Sequence, residues 1–555
     1  MLKSSPYVRR WALVVAVVSV TAAVAQQLLI IAGFGGWLPG WQPWPCLLLA
    51  VPSFLIALRS GATVACPAPL LKGAEVIRRV PVGVCVLGVL VLTAFVWASL
   101  QEHEPHFGHE EAVYANKARS WLEGTPDAGW GLYRPVGLPA LGYVALTVHN
   151  SVGTLRVVAL CVVLFTLTVT YVVAARWTTP RRAVVVTLLL LGGLGFLRRV
   201  PEFLNDIGST GLLLMVVFLV ALAQEKPRSR AVLGLPFVIV PAFYFRYGVV
   251  GNLLAVFLAA LVAYGPRAWA AQWRRLLWAA LLVALGLVPH LVHAVHATGS
   301  PLGVMTWATS QANRAFFGDG LLYYVATFPY RLAGDLGAVV MVAGILALVA
   351  AVRRVHSAGA SRTEGSEDRR RVFLGLTALF MFVVLGCTSH GEPRFVYVPV
   401  VLLTVLGVQN LAERSGRWSA QTLTAVGVLA SLSVLVTAQV VGHGAMRGPS
   451  RLSESTVPVA RSLTSDRPCL VVSGYEPEMG WYSGCDAVTY AQYEERAVPP
   501  DMRVTLVLFE RGRLQPGPTA VKELVGDREV TTSVRDTDGS LGTARAITFR
   551  EGRRP

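Results

Sequence analysis

Long apolar runs separated by polar connections make up most of this 555-residue chain. Each run is about 15 to 23 residues long, close to the length that an α-helix needs to cross roughly 30 Å of hydrocarbon. The pattern predicts an α-helical polytopic membrane protein with about 13 transmembrane helices. We place these spans near residues 11–33, 44–58, 81–99, 156–175, 183–197, 207–223, 232–247, 249–264, 276–296, 335–352, 372–388, 395–412 and 420–441.

The composition agrees with a membrane protein and excludes a soluble globular one. Hydrophobic residues make up 54% of the chain and charged residues 15%, and the mean hydropathy is +0.55. So few polar side chains cannot cover the surface of a water-soluble protein of this length. We therefore expect a multi-pass protein of the cytoplasmic membrane that is in contact with membrane lipids.

Basic residues predict which connections face the cytoplasm. Lys and Arg cluster in alternate connections, for example at 78–79, 181–182 and 369–371. Short loops rich in these residues stay on the cytoplasmic side, so the N-terminus is predicted inside and the C-terminal residues outside. The net charge of +17 then reflects topology and contact with anionic lipids, and it does not indicate a nucleic acid partner.

The composition changes abruptly after the last predicted span. We divide the chain into an N-terminal transmembrane extension (1–80), a membrane catalytic domain (81–442) and a soluble extracytoplasmic domain (443–555). In this last part, residues 469–472 and 504–509 are continuous apolar runs typical of buried strands. The tail is therefore predicted to be a small α/β domain, with a short helix within 520–525.

Two of the seven cysteines, Cys469 and Cys485, lie in the polar tail. An extracytoplasmic compartment is one in which such a pair forms a disulfide, and we predict this bridge. Two separate thiols are the alternative. The other five lie in or beside predicted spans, where a cysteine behaves as a small apolar residue. These are Cys46, Cys66, Cys85, Cys161 and Cys387.

Two adjacent carboxylates, Glu110 and Glu111, lie in the first long outward loop, residues 100–150. Acidic residues favour the first turn of a helix, so a solvated helix N-terminus is one interpretation. The other interpretation is catalytic, because a positioned carboxylate can accept a proton from a reacting hydroxyl.

A further acidic residue, Asp206, lies at the mouth of a predicted span, where an ionised group is costly unless it is paired or used. An ion pair with Arg198 or Arg199 is one interpretation. In the other interpretation, Asp206 and Glu110 orient an acceptor molecule that carries the reacting hydroxyl, or they hold a divalent metal ion. One of the two carboxylates then takes the proton of that hydroxyl.

Arginines are the candidate ligands of a phosphate. Arg246 lies alone between two apolar runs, where snorkelling to the interface is the alternative. His390, Glu392 and Arg394 cluster directly before another apolar run, where an ion pair between Glu392 and Arg394 is the alternative. Guanidinium groups match phosphate oxygens, so Arg134, Arg246 and Arg394 are predicted to form a cationic site for a phosphate, which by the family resemblance described below is a lipid phosphate.

The first loop resembles that of the GT-C superfamily of membrane glycosyltransferases, in particular the protein O-mannosyltransferases and the lipid A aminoarabinose transferases. In that family an acidic pair precedes Ala-x-Tyr-Ala, and here Glu110 and Glu111 precede Ala-Val-Tyr-Ala at 112–115. The resemblance implies that Glu110, where the family usually has Asp, is the base or a metal ligand. Glu111 takes the place of the second acidic residue.

Further segments follow in family order between about residues 81 and 412. Arg134 in 131–143 stands for the family's basic residue, a span opens with Arg156, and Asp206 fits the acidic residue of the second loop. Tyr324 lies in an aromatic segment that resembles one in the lipid A transferases, although aromatic residues at the interface are also typical membrane anchors.

The cluster of His390, Glu392 and Arg394 is similar to a His/Glu/Pro/Arg-Tyr motif of the same family. The tail sequence Trp-Tyr-Ser-Gly-Cys at 481–485 is similar to the extracytoplasmic tails of actinobacterial transferases of this type.

The resemblance implies transfer of a sugar from a polyprenyl-phosphate donor to a glycan, lipid or protein acceptor on the outer side of the membrane. Mannose and arabinose, for a mannosyltransferase or an arabinosyltransferase, are the candidate sugars, and a divalent metal ion is the one cofactor left open. Two other classes also stay open. One is a transporter or flippase of a lipid-linked glycan, which predicts ionisable residues at mid-membrane depth. The other is a catalytically inactive scaffold of the cell envelope.

Overall fold

The computed structural model of the chain describes residues 6–31, 44–59, 68–101, 105–226, 229–310, 315–327, 330–357, 364–414, 452–465, 468–500 and 502–550. The predicted span at 420–441 lies outside the described residues, as do residues 32 and 33 of the first predicted span and Cys66.

Seven helices in the described part of the chain are long and apolar enough to cross a membrane. A helix rises 1.5 Å per residue, so about 20 residues suffice for a hydrocarbon layer of about 30 Å. The protein is therefore a multi-pass membrane protein, and the number of thirteen spans stays a prediction. The seven helices are Val82–Gln101, Val152–Trp177, Asn205–Glu225, Trp273–Thr298, Gly337–Ser357, Glu367–Thr388 and Pro393–Glu413.

Shorter helices, several of them apolar, accompany and connect these spans. Numbered in chain order, the helices up to residue 414 are α1 (Pro6–Ile31), α2 (Trp44–Arg59), α3 (Ala68–Arg79), α4 (Val82–Gln101), α5 (His109–Glu123), α6 (Gly137–Leu146), α7 (Val152–Trp177), α8 (Pro180–Leu191), α9 (Leu194–Leu197), α10 (Asn205–Glu225), α11 (Ala231–Gly234), α12 (Pro236–Phe245), α13 (Val249–Tyr264), α14 (Pro266–Ala270), α15 (Trp273–Thr298), α16 (Gly303–Ser310), α17 (Asp319–Thr327), α18 (Tyr330–Ser357), α19 (Glu364–Thr388) and α20 (Tyr397–Arg414).

Two predicted spans are interrupted in the structure, and each interruption has a local cause. The span predicted at 183–197 divides into α8 and α9 at Gly192 and Gly193, since glycine is a poor helix former. The span predicted at 232–247 divides into α11 and α12 at Pro236, which begins α12 and has no N–H with which to continue α11. In both cases an apolar run is longer than the helix that it forms.

The tail forms a five-stranded sheet with the strand order β2-β1-β3-β5-β4. β1 pairs in parallel with β2 and β3, whereas β5 pairs antiparallel with β3 and β4. The elements are α21 (Leu452–Ser462), β1 (Cys469–Val472), α22 (Glu476–Ser483), β2 (Asp486–Val488), α23 (Tyr490–Glu495), β3 (Arg503–Phe509), α24 (Pro518–Val525), β4 (Thr531–Arg535) and β5 (Ala544–Arg550).

Both faces of this sheet are covered. On β1, Leu470 and Val472 belong to one apolar cluster and Val471 belongs to another. Val521 and Leu524 of α24 pack against the first cluster, and α21 and α22 contribute to the second. Burial on both faces explains why β1 and β3 are continuous apolar runs, and it confirms the predicted small α/β domain.

The chain divides into two compact units whose boundaries differ from those of the three predicted domains. We call Met1–Phe95, Val162–Val200 and Asp206–His443 the helical unit. Val96–Cys161, Pro201–Asn205 and Gly444–Pro555 form the tail unit. The C-terminal domain therefore belongs to the same unit as the loop that carries Glu110 and Glu111.

Candidate functional site

The acidic pair lies in the first turn of α5, in the tail unit. The helix begins after Gly108, whose backbone is extended, and ends at Gly124, whose φ of +68° lies in the left-handed region that favours glycine. The carboxylate of Glu111 accepts a hydrogen bond from the backbone N–H of Gly108 at 3.2 Å. This contact satisfies one of the N–H groups that a helix start leaves without an intrahelical partner.

Glu111 is the centre of a buried ion pair. Its side chain accepts hydrogen bonds from Arg156 Nη2 at 3.1 Å, from Arg156 Nε at 3.3 Å and from the backbone N–H of Phe203 at 2.9 Å. Glu111 is 4% exposed and Arg156 is 1% exposed. With these contacts Glu111 holds Arg156 and the Phe203 backbone in place, and its predicted catalytic role stays a prediction.

Arg156 joins three separate segments of the tail unit. Besides Glu111, its guanidinium donates to the side-chain oxygen of Gln101 at 2.8 Å and to the carbonyl of His106 at 2.7 Å. Arg156 has no predicted role in the site. The available signal is its charge within an apolar run, since such a charge in a membrane protein is usually paired or functional.

Glu110, the neighbour of Glu111, is partly exposed at the same helix start. Arg134 lies in the turn that follows Gly131, with its guanidinium 5.7 Å from the ring centre of Tyr114 and 5.3 Å from that of Tyr133. Burial alone would lower the pKa of Arg134, but Tyr114, Tyr133 and Glu110 outweigh burial and raise this pKa. The tail unit therefore brings Arg134 into the electrostatic field of Glu110.

A second polar cluster lies in the helical unit around Asp206, in the first turn of α10. Asp206 Oδ1 accepts a hydrogen bond from Arg246 Nη1 at 2.6 Å, and its Oδ2 lies 3.7 Å from Arg394 Nη1. Arg246 follows the C-terminus of α12, where the backbone becomes extended. Asp206 is thus paired with two arginines that lie far from it in sequence, whereas Arg198 and Arg199 were its predicted ion-pair candidates.

Arg394 also pairs with Glu392, as the alternative interpretation of this motif expected. Glu392 Oε1 accepts from Arg394 Nη2 at 3.1 Å, its Oε2 contacts Arg394 Nε, and His390 Nε2 lies 3.1 Å from Oε1. The turn contains Gly391 at φ +79°, where a side chain would collide with the ring of Tyr323. The predicted motif therefore forms one connected group.

Tyr324 braces this turn from α17. Its hydroxyl donates to the carbonyl of Glu392 and accepts from the backbone N–H of the same residue, both at 3.3 Å. The side chain is buried, and burial raises its pKa to about 12. The structure therefore gives Tyr324 a positioning contact with the turn, and its predicted role in substrate binding stays a prediction.

The two arginines of the cluster also share an aromatic neighbour. The guanidinium carbon of Arg246 lies 4.1 Å from the ring centre of Phe395, and that of Arg394 lies 5.5 Å from it. Such cation–π contacts hold guanidinium planes in place while leaving their edges available to an anion. The structure thus brings Asp206, Arg246 and Arg394 together in the helical unit, whereas Arg134 belongs to the tail unit.

The described carboxylates fit a metal ion poorly. No group of three or more His, Cys, Asp or Glu side chains among the described residues is arranged to hold one. Guanidinium groups already occupy the oxygens of Glu111 and Asp206. We therefore derive no step of the reaction through a metal ion.

Cys469 and Cys485 form a disulfide with a Cα–Cα distance of 5.0 Å. The bridge joins the first residue of β1 to the residue that follows the C-cap of α22. It therefore closes a loop that contains the whole of α22.

Comparison with solved structures identifies the fold. ArnT from Cupriavidus metallidurans bound to undecaprenyl phosphate matches with a TM-score of 0.61 and 14% identity, over 83% of this chain and 97% of that one. The apo state of ArnT matches with a TM-score of 0.59 and 14% identity, over 84% and 97%. ArnT is a lipid A aminoarabinose transferase of the GT-C type.

An oligosaccharyltransferase from Archaeoglobus fulgidus, tethered with an acceptor peptide, is also similar. It has a TM-score of 0.47 and 12% identity, over 82% of this chain and 74% of that one. No family model matches the sequence, and no curated protein matches it. Because the likeness to ArnT extends over most of both chains, this chain has an ArnT-like GT-C fold.

Proposed function

We propose that this protein transfers a sugar from a polyprenyl-phosphate donor to an acceptor of the cell envelope, on the outer side of the cytoplasmic membrane. The observation that carries the proposal is the ArnT-like fold, since ArnT has been solved with undecaprenyl phosphate bound. A donor on a lipid carrier agrees with a chain that consists largely of membrane-spanning helices. The identity of the sugar stays a prediction, with mannose and arabinose as the candidates that the family resemblance implies. The identity of the acceptor also stays a prediction.

In the proposed reaction, the oxygen of an acceptor hydroxyl attacks the anomeric carbon of the donor sugar. The bond from that carbon to the phosphate oxygen breaks, and polyprenyl phosphate leaves with the electron pair. Glu110 accepts the hydroxyl proton. It suits this role because it is partly exposed, whereas the adjacent Glu111 is buried and fully engaged by Arg156 and Phe203.

Arg246 and Arg394 are the proposed ligands of the lipid phosphate. In the cluster their two positive charges face the two carboxylates of Asp206 and Glu392. Each guanidinium presents five N–H donors in a planar fork whose geometry matches phosphate oxygens. Such donors stabilise the charge that develops on the leaving phosphate.

The proposal is tested by sugar transfer in membranes that contain wild type, Glu110→Gln or Glu123→Gln at matched protein levels, with radiolabelled polyprenyl-phosphate sugars as donors. Loss of a general base typically lowers the rate by about 10²- to 10⁴-fold, so we expect Glu110→Gln to lose at least about 100-fold. Glu123 lies at the exposed far end of the same helix, so its variant is the matched control.

Equal transfer by Glu110→Gln and wild type would refute the role of Glu110. A wild type that moves the labelled lipid across the membrane without forming product would instead identify the transporter or flippase class. Transfer that is lost on addition of EDTA and restored by a divalent cation would show a metal requirement that the described carboxylates do not explain.

A further inference from the structure

The C-terminal domain contacts α5 through helix α22 and through Arg513, and all of these belong to the tail unit. We propose that α22 is a positioning element for Glu110, and that Glu478 is the positioning residue that acts on it through His109. The inference rests on the proposed function, because it assigns Glu110 the role of the base. It gives the C-terminal domain a task that the fold alone does not reveal.

The middle of α5 is fixed to α22 by hydrogen bonds to backbone carbonyls. Asn116, which has no exposed surface, donates to the carbonyl of Pro477 at 2.9 Å and to that of Ala128 at 3.1 Å. Arg119 donates to the carbonyls of Trp481 at 2.9 Å and Gly480 at 3.1 Å. Backbone acceptors of a folded helix cannot turn away as side chains can, so these contacts define the position of α5.

Arg119 also stacks on the ring of Trp481, with 4.2 Å between the guanidinium carbon and the ring centre. Burial lowers the pKa of Arg119 to about 10, so the side chain remains charged at neutral pH. A cation–π contact of a desolvated arginine is stronger than one at an exposed site. The sequence signal for this contact is the arginine three residues after Asn116, on the same face of the helix.

Two glycines allow the close approach of these segments. A Cβ at Gly480 would lie 2.5 Å from the Cβ of Ala128, and a Cβ at Gly129 would collide with the ring of Pro477. Gly129 also has a φ of +75°, which favours glycine. The contact between α22 and the segment that follows α5 is therefore packed without spare room.

The chain that leads into α5 is held by the same helix. The hydroxyl of Tyr482 accepts a hydrogen bond from the backbone N–H of Phe107 at 2.7 Å. The ring of Phe107 packs edge-on against that of Trp481, with 5.2 Å between the ring centres. Residues on both sides of the helix start are therefore tied to α22.

His109, the first residue of α5, directly precedes the acidic pair and contacts Glu478 of α22. His109 Nδ1 lies 3.1 Å from Glu478 Oε2, and Glu478 is 2% exposed. The same Nδ1 lies 3.0 Å from Nη2 of Arg513, so its bonding partner depends on the tautomer of His109. With a proton on Nδ1 it donates to Glu478, because the carboxylate can only accept. Arg513 packs beside this pair and donates from Nε to the carbonyl of Gly474 at 3.0 Å.

Three consecutive residues therefore have three different environments. His109 is fixed by Glu478 of the C-terminal domain, and Glu111 is fixed by Arg156 of α7 and by Phe203. Glu110 lies between these two anchored residues and is the partly exposed carboxylate of the pair. Anchors on both sides restrict where its carboxylate can lie, and a displacement of about 1 Å at a reacting group can cost about 100-fold in rate.

The helix that carries Glu478, α22, is itself held rigidly in the C-terminal domain. Met479 of α22 is fully buried in the core of the domain, and the disulfide joins the end of α22 to β1. A functional group is held best by elements whose own side chains are locked by packing. α22 meets this condition.

The test compares Glu478→Ala and Glu478→Gln in the full-length protein, with Glu495→Gln on the exposed face of α23 as control. Glutamine keeps an oxygen that accepts from His109, whereas alanine does not. For Glu478→Ala we expect kcat to fall about 10- to 100-fold with KM for the polyprenyl-phosphate donor within twofold of wild type. We expect Glu478→Gln to keep most of the activity, and Glu495→Gln to match wild type.

Amide hydrogen exchange of the same detergent-solubilised proteins gives a readout that does not need activity. We expect Glu478→Ala to exchange faster over 106–112 while the strands of the tail sheet keep their protection. Unchanged exchange there, or a kcat within twofold of wild type, would overturn the positioning role. If Glu478→Ala does not fold, Tyr482→Phe removes the acceptor of the Phe107 N–H, and the same two criteria apply.

A wild type without transferase activity would refute the proposed function. The exchange result would then still decide whether the C-terminal domain positions the start of α5. The two failures are therefore distinguishable.

Discussion

Single residues decide which of two adjacent carboxylates is available for chemistry. Glu110 and Glu111 are identical in type and consecutive in sequence, yet Glu111 is enclosed by Arg156, Gly108 and Phe203. A buried carboxylate is stable only when its charge is paired and its oxygens accept hydrogen bonds. Burial therefore distinguishes the two residues, since Glu111 is enclosed whereas Glu110 is partly exposed and is the candidate base.

Removal of Arg156 would leave Glu111 buried without its counter-charge. Breaking a buried ion pair in this way usually costs about 3–5 kcal/mol. We expect the detergent-solubilised Arg156→Ala protein to unfold at a clearly lower temperature than wild type and to have no sugar-transfer activity. Arg79→Ala is the control, since the side chain of Arg79 is 80% exposed. An Arg156→Ala protein as stable as wild type would show that the pair is dispensable.

Glu476, in the first turn of α22, links stability to pH. Burial raises the pKa of Glu476, and one of its oxygens has no hydrogen-bond partner among the described residues. A raised pKa means that the folded state prefers the protonated form, so its stabilising contribution is present at low pH and lost as pH rises through the folded pKa.

Glu476→Gln should therefore stabilise the protein at neutral pH, and this gain should shrink as pH falls toward the ordinary pKa of glutamate. Thermal unfolding of both proteins between pH 4 and 7.5 measures the difference, with Glu495→Gln as an exposed control. A gain that grows on acidification would contradict the raised pKa.

At the scale of elements, the disulfide is expected to keep α22 in place. The bridge closes a segment with a sequence separation of 16. Closing a loop of about 15 residues is worth about 3 kcal/mol in the chain-entropy description. We expect reductant to lower the unfolding temperature of wild type and to leave that of a Cys469→Ser/Cys485→Ser double variant unchanged. Equal unfolding of wild type with and without reductant would contradict this role.

Several elements were predictable because their patterns are locally unambiguous. The apolar runs at β1 and β3 predict buried strands, and both are observed. β4 has no buried residue, so its sequence carries no alternation by which it could be recognised. α8 and α11 show the opposite error, since apolar length suggested continuous spans, whereas glycine ended α8 and Pro236 prevented α11 from continuing.

The candidate site, like the fold, was predictable from the sequence only in part. Asp206, Arg246 and Arg394 were predictable as unusual charges at the ends of apolar runs, and the structure brings them together. Their mutual pairing was not predictable, because several arginines compete for one carboxylate. The contact of Asn116 with Pro477 joins residues 361 positions apart, and no local pattern records it.

At the scale of the whole molecule, the charge distribution predicts a topology with the C-terminal domain outside. An impermeant maleimide applied to intact cells tests this with Ser533→Cys on the exposed strand β4 and Ser357→Cys at the end of α18. We expect labelling of the first variant and none of the second above the wild-type background. The reverse result would overturn the predicted topology.

In the proposed reaction the leaving group is a lipid phosphate, so release of that phosphate is the most direct test of the proposal. The measurement is the amount of free polyprenyl phosphate formed per labelled sugar transferred, in wild type and in Glu110→Gln. We expect one lipid phosphate per transferred sugar in wild type and at least about 100-fold less of both products in the variant. Sugar-lipid that crosses the membrane intact, with no polyprenyl phosphate released, would contradict a transferase.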